Sequence, residues 1–106
     1  MRNKHNLPKN INVLIDRVID LLSPEKILLF GSQAKNDAKF YSDYDIAVIA
    51  KDDQPAKWSQ LFWELEEGTL TLLPVDIVNW NHSSNELQKR IINEGIVLYD
   101  QSANIL

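Results

Sequence analysis

Asp43 and Asp45 stand two residues apart, and ten residues separate Asp43 from a Gly31-Ser32 pair. The apolar run Ile46–Ala50 follows the acids directly, so they lie at the entry to a strand. Side chains along a strand alternate between faces, so two carboxylates at this spacing point the same way. Both ionise comfortably only if positive charge sits between them. Mg²⁺ meets that need: it prefers hard oxygen ligands and is often held by one or two carboxylates together with substrate phosphates. Mn²⁺ suits the same donors. Asp76 is a third candidate. It stands inside Pro74-Val-Asp-Ile-Val78, an otherwise apolar strand, where a lone carboxylate is costly unless paired or metal-bound. If that strand lies beside the one following Asp45, three carboxylates can hold two ions about 3.5–4 Å apart, the clamp used for in-line phosphoryl displacement.

Gly31 and Ser32 supply the other half of such a site. Glycine lets the backbone approach a phosphate closely. The N–H groups of a helix starting at Ser32 would attract anions, with the serine hydroxyl as a further donor. Lys35 adds a positive charge nearby, although a solvated lysine is the simpler reading of it. The G-x-x-x-x-G-K-[ST] spacing of a Walker loop is absent.

These residues need a scaffold, and the hydrophobic pattern supplies one. Ile11, Leu14, Ile15, Val18, Leu21 and Leu22 follow helical spacing over Asn10–Leu22, and Ser23-Pro24 ends that helix. Lys26–Phe30 reads as a buried strand leading into Gly31. Ser32–Lys35 reads as a short helix broken by Asn36 and Asp37. Ile46–Ala50 is a second strand. Ala56–Glu67 is a helix with Trp58, Leu61, Phe62 and Leu65 on its apolar face, stopped by Gly68. Val75–Asn79 is a third strand. Ser83-Ser-Asn-Glu86 matches a capping box opening a helix to about Glu94. Gly95 closes it, and Ile96–Tyr99 makes a last short strand. Alternating helices and strands predict an α+β (α/β-like) domain, a small mixed sheet with helices packed on it. One domain spans 1–106, with 1–9 and 101–106 expected to be flexible.

The bulk properties agree. The chain has 106 residues, 44% of them hydrophobic and 25% charged, as in an ordinary globular domain. It contains no cysteine, which excludes disulfides and thiolate zinc sites and fits a reducing cytoplasm. No run approaches the ~20 apolar residues of a membrane span, and Asp16, Arg17 and Asp20 interrupt the segment after the basic start, so no signal peptide is expected. The net charge of −4 argues against direct nucleic-acid binding. His5 and His82 are too few and too far apart for a histidine metal site.

The Gly-Ser turn, the ten-residue gap, the D-x-D pair and the later Asp on an apolar strand together resemble the nucleotidyltransferase superfamily of the DNA polymerase β type. The short length and Val75-Asp-Ile-Val-Asn-Trp80 are similar to its minimal (MNT) branch, known as the antitoxin partner of HEPN-domain toxins. The resemblance covers nearly the whole chain. It implies that Gly31 and Ser32 bind a nucleoside triphosphate, that Asp43, Asp45 and Asp76 hold Mg²⁺, and that Asp76 helps deprotonate an acceptor hydroxyl. The implied reaction is attack of that hydroxyl on the α-phosphorus with release of pyrophosphate; in the MNT branch, AMP from ATP passes to a tyrosine of the toxin. Two positions depart from the family pattern. Gln33 stands where Arg is usual, removing a positive charge near the phosphates, and Asn36 stands where Gly is frequent.

Other readings stay open at this stage. The acids could form an exposed turn without a ligand, and Asp76 could cap a loop. The chain could be a non-catalytic module that masks a toxin or only binds nucleotide, a reading that Gln33 favours. A response-regulator receiver fits less well, because its acceptor Asp ends a strand. A D-x-D glycosyltransferase leaves the Gly-Ser turn unexplained. Trp58 belongs to the apolar helix face, Trp80 to the end of the sheet, and His82 to the loop before the last helix. Trp63 lies off the apolar face; partial burial accounts for it, and exposure would suit a partner interface.

Overall fold

The computed structural model describes residues 7–35, 43–68, 70–71 and 73–104. Asn36 and the Phe40-Tyr41-Ser42 approach to the acids lie outside the described residues, as do the first six residues and the last two. Three α-helices and four strands follow one another as α1 (Lys9–Leu22), β1 (Lys26–Phe30), β2 (Tyr44–Ile49), α2 (Pro55–Glu66), β3 (Val75–Asn79), α3 (Asn85–Glu94) and β4 (Ile96–Asp100). Short 3₁₀ turns follow β3 at Trp80–His82 and β4 at Gln101–Asn104.

The sheet has the order β3-β2-β1-β4. It is mixed: β2 is parallel to β3, and β1 is antiparallel to both β2 and β4. The parallel pair requires a crossover, which α2 provides. Central β1 is buried on both faces, with Ile27, Leu28, Leu29 and Phe30 all in the core. Alternation sends Ile27 and Leu29 to one face, where Ile46, Val48, Ile77 and Leu98 join the apolar sides of α1 and α2. Leu28, Phe30 and Ala47 point to the other face, against Ile91 of α3. The result is a three-layer domain with α1 and α2 on one side of the sheet and α3 on the other.

The helices form largely as their spacing predicts. Ile11, Leu14, Ile15, Val18 and Leu22 bury one side of α1. Gln54 joins the next helix to it, donating from Nε2 to the Leu22 carbonyl at the end of α1 (2.9 Å). On α2, Trp58 and Leu61 are buried as expected, but Phe62 is 44% exposed and stacks on Trp58 with ring centroids 5.8 Å apart. Glu64 is buried in its stead. Arg17 of α1 grips it with two donated bonds of 2.8 Å, and Gln60 adds a third. The Arg17 bonds, followed by that of Gln60, hold the Glu64 carboxyl well below its usual range, at about 2. The buried stripe of α2 therefore turns from Phe62 toward Glu64, because a bidentate arginine partner makes the carboxylate cheap to bury. Trp63 is 55% exposed.

α1, α2 and β4 differ from their expected ends by one residue, and the boundaries of α3 and β2 also shift. The cap of α3 is Ser84, one residue later than the box predicted from Ser83 and Glu86; its hydroxyl accepts from the Leu87 N–H (3.1 Å), placing Glu86 in the first turn. Strand β2 begins at Tyr44 rather than Ile46 and ends at Ile49, which takes Asp45 into the sheet.

Candidate functional site

Strand direction brings the predicted residues to one end of the sheet. Phe30, the last residue of β1, pairs with Asp45 near the start of β2, and Asp45 in turn pairs with Asp76 near the start of β3. The condition on which Asp76 could join the other acids is therefore met: β3 lies beside β2, with the two aspartates directly opposite. The Tyr44 N–H donates to the Pro74 carbonyl (2.9 Å), anchoring the register just ahead of both acids. Asp45 shares the parity of Ala47, and Asp76 that of Val78, both of which pack toward α3. The acidic cluster thus belongs to the α3 face. Asp43 precedes β2 and is exposed; Asp76 is also exposed, and Asp45 is half-buried.

Gly31 stands immediately beside this cluster. Its φ of 74° lies in the left-handed region. A Cβ built on it would collide with the Oδ2 of Asp45 and come within 3.2 Å of the carboxyl carbon. Glycine is needed twice over, for the turn and for the close approach of the carboxylate. The chain then folds back through Ser32–Lys35, with the Ala34 and Lys35 N–H groups both donating to the Gly31 carbonyl (3.1 and 3.2 Å). This is a hydrogen-bonded turn rather than the short helix expected from Ser32.

The electrostatics show that the carboxylates sense one another. Burial pushes the Asp45 carboxyl above its ordinary range, and the negative charges of Asp76 and then Asp43 push it further. The positive charge of Arg90 pulls the other way. Such a cluster is short of positive charge, and a cation bound among these oxygens would relieve it. Among the described residues, no three acidic or histidine side chains are arranged to enclose an ion by themselves. An ion there would complete its shell with water and phosphate oxygens, as Mg²⁺ ordinarily does. The donor chemistry fits.

Lys35 does not point freely from the turn: its Nζ lies 3.5 Å from Glu94 Oε1 at the end of α3. Arg90, one turn earlier, contacts the same carboxylate, with Nε 3.3 Å from Oε2. The Arg90 guanidinium also sits over the Phe30 ring, 5.6 Å from its centroid. Sequence reasoning missed Arg90 and Glu94. Their i, i+4 spacing marks an ordinary exposed helix pair, and no local pattern relates residue 90 to residue 45.

His82 faces Asp53 across the far loops (3.2 Å), and Trp80 packs beneath α3, both apart from the acidic cluster. No helix among the described residues is long and apolar enough to cross a membrane.

Comparison with known proteins bears on this site. The family model described as polymerase beta, nucleotidyltransferase matches residues 11–104. Among solved structures, the chain is similar to a chain in the crystal structure of a toxin–antitoxin with AMP-PNP: 28% identity, 92% of this chain and 77% of that one covered, TM-score 0.69. It is also similar to a chain of the MntA–HepT toxin–antitoxin: 28% identity, 90% and 74% covered, TM-score 0.61. A third similar chain comes from the tri-AMPylated Shewanella oneidensis HEPN toxin in complex with its MNT antitoxin: 26% identity, 90% and 73% covered, TM-score 0.63. Comparison with curated proteins finds no match.

Proposed function

The chain belongs to the polymerase beta nucleotidyltransferase family, and from that premise we propose that it is a metal-dependent enzyme that transfers AMP from ATP to a tyrosine hydroxyl of a HEPN-type toxin, acting as its antitoxin. The observation that carries the proposal is the in-register pair of Asp45 and Asp76 beside the Gly31 turn, with Asp43 leading into it. Similarity to chains from a complex holding AMP-PNP and from one whose HEPN toxin is AMPylated supports the nucleotide and the acceptor.

In this reading Asp43, Asp45 and Asp76 hold up to two Mg²⁺ ions, which when bound supply charge neutralisation around the transferred phosphoryl group. The turn at Gly31 and Ser32 receives the triphosphate, and the missing Cβ of Gly31 lets the Asp45 carboxylate lie directly against it. Asp76, exposed on the edge strand β3, takes the proton of the incoming hydroxyl in this reading. Pyrophosphate leaves on the side of the turn. The acceptor hydroxyl arrives on a second protein, a reading supported by similarity to a chain from a complex whose HEPN toxin, and not the MNT chain, is named as AMPylated. Consumption of ATP and the absence of cysteine go with a cytoplasmic setting.

Labelled ATP, Mg²⁺ and the protein encoded by the neighbouring gene provide the test. Label should pass to the neighbour, and Asp43→Ala or Asp45→Ala should reduce it to background. Label that persists in both variants, or none with the unaltered chain, would sink the catalytic reading. If the double variant still neutralised the toxin in full, the chain would be a masking subunit, the alternative that Gln33 favours.

A further inference from the structure

We propose that Arg90 is a nucleotide-binding residue of this site, a cation on α3 that receives the β- and γ-phosphates after exchanging Glu94 for them. The inference rests on the nucleotide-site reading and extends it to a helix outside the turn and the acidic strands.

The geometry starts from α3. Ile91 is fully buried against Leu28, Phe30 and Ala47, which fixes the helix on the sheet face that carries Asp45 and Asp76. Arg90 is adjacent, and its guanidinium lies over Phe30, the cross-strand partner of Asp45 and the residue just before Gly31. The aromatic face holds the cation beside the turn without using any of its N–H donors.

Glu94 is the second observation. Its carboxylate, only 22% exposed, takes both Arg90 (3.3 Å) and Lys35 (3.5 Å), so cations from α3 and from the turn converge on one anion. The contacts are long and both cations are about half exposed, so they are readily given up. A polyphosphate offers the same two cations more charge and more acceptor oxygens, and guanidinium binds phosphate in a bidentate fork. Glu94 is then a positioning residue, an internal anion that keeps Arg90 and Lys35 together until the substrate replaces it.

Calorimetric titration of the full chain with ATP and with AMP, both with Mg²⁺ and no acceptor protein, tests this. Arg90→Met keeps an apolar stem over Phe30 and removes the charge. It should weaken ATP about tenfold and change AMP less than threefold, with Arg90→Lys restoring part of the loss. Glu94→Gln should tighten ATP several-fold by freeing both cations. An unchanged ratio of ATP to AMP affinity in Arg90→Met would overturn the assignment, since loss of a merely structural arginine weakens both ligands alike. Loss of ATP binding in Glu94→Gln would overturn the exchange. Failure of the unaltered chain to bind ATP would overturn the nucleotide site itself, whereas ATP binding abolished by Asp43→Ala and untouched by Arg90→Met would overturn only the role of Arg90.

Discussion

Replacing Gly31 by alanine adds one methyl group and no charge, and it should disable the site by two separable routes. The first is backbone strain. At a φ of 74° an L-residue pays roughly 1–2 kcal/mol relative to glycine. The second is steric. The new Cβ would occupy the position of Asp45 Oδ2, so the carboxylate must rotate away from its preferred geometry, at about 0.5–1.5 kcal/mol. Together these give a loss of about 2–3 kcal/mol, or roughly 10–20 °C in Tm for a domain of this size. Thermal unfolding in metal-free buffer measures the sum, and a double-mutant cycle separates its parts. In an Asp45→Ala background the carboxylate is gone and the nearest remaining Asp45 atom, Cβ at 3.5 Å, is an ordinary contact. Gly31→Ala should then cost only the backbone part, leaving a coupling of about 1 kcal/mol between the two positions. In the transfer assay, Gly31→Ala alone should lose about a hundredfold in rate, because the displaced carboxylate is misplaced by about 1 Å. Equal cost in both backgrounds would refute the close approach of Gly31 and Asp45, and with it the argument that the turn and the acids form one site.

Two other outcomes follow from the charges. The folded-state pKa of Asp45 is raised, so its contribution to stability is fully present below the unfolded value of 3.8 and is lost as pH rises through the folded value. Asp45→Asn should therefore be more stable than the unaltered chain near pH 7 without metal and lose that advantage on acidification, and Mg²⁺ should raise the Tm of the unaltered chain but not of the variant; identical melting profiles from pH 4 to 7 would contradict this. Glu64 behaves oppositely: its lowered pKa gives stability that is present above 4.5 and lost as pH falls toward about 2. Glu64→Gln should flatten that acid limb in a urea titration across pH 2–5, and an unchanged slope would remove the Arg17–Glu64 pair from the account of acid stability.

Much of this protein is legible along the chain because its signals are local. Strands β1 and β3 begin and end where the apolar runs Lys26–Phe30 and Val75–Asn79 do. The buried face of α1 follows its 3.6-residue period. A Gly-Ser turn, two acids at alternate positions and an aspartate inside an apolar strand mark the candidate site by composition and spacing alone. Other features depend on which elements meet. Asp45 is polar and carries no strand signal of its own; it enters β2 because Phe30 pairs with it on one side and Asp76 on the other, while Tyr44 pairs with Val75. Glu64 is buried and Phe62 exposed because Arg17, 47 residues away, supplies the partner that a buried carboxylate requires. Arg90 and Glu94 come near Phe30 and the turn only because Ile91 docks α3 on that face of the sheet. Sequence spacing determined which residues could do phosphoryl chemistry, since residue type and strand alternation are properties of neighbours. Tertiary structure decided that Asp45 and Asp76 stand opposite each other and which cations face them, since register and helix docking come from contacts between residues far apart in the chain.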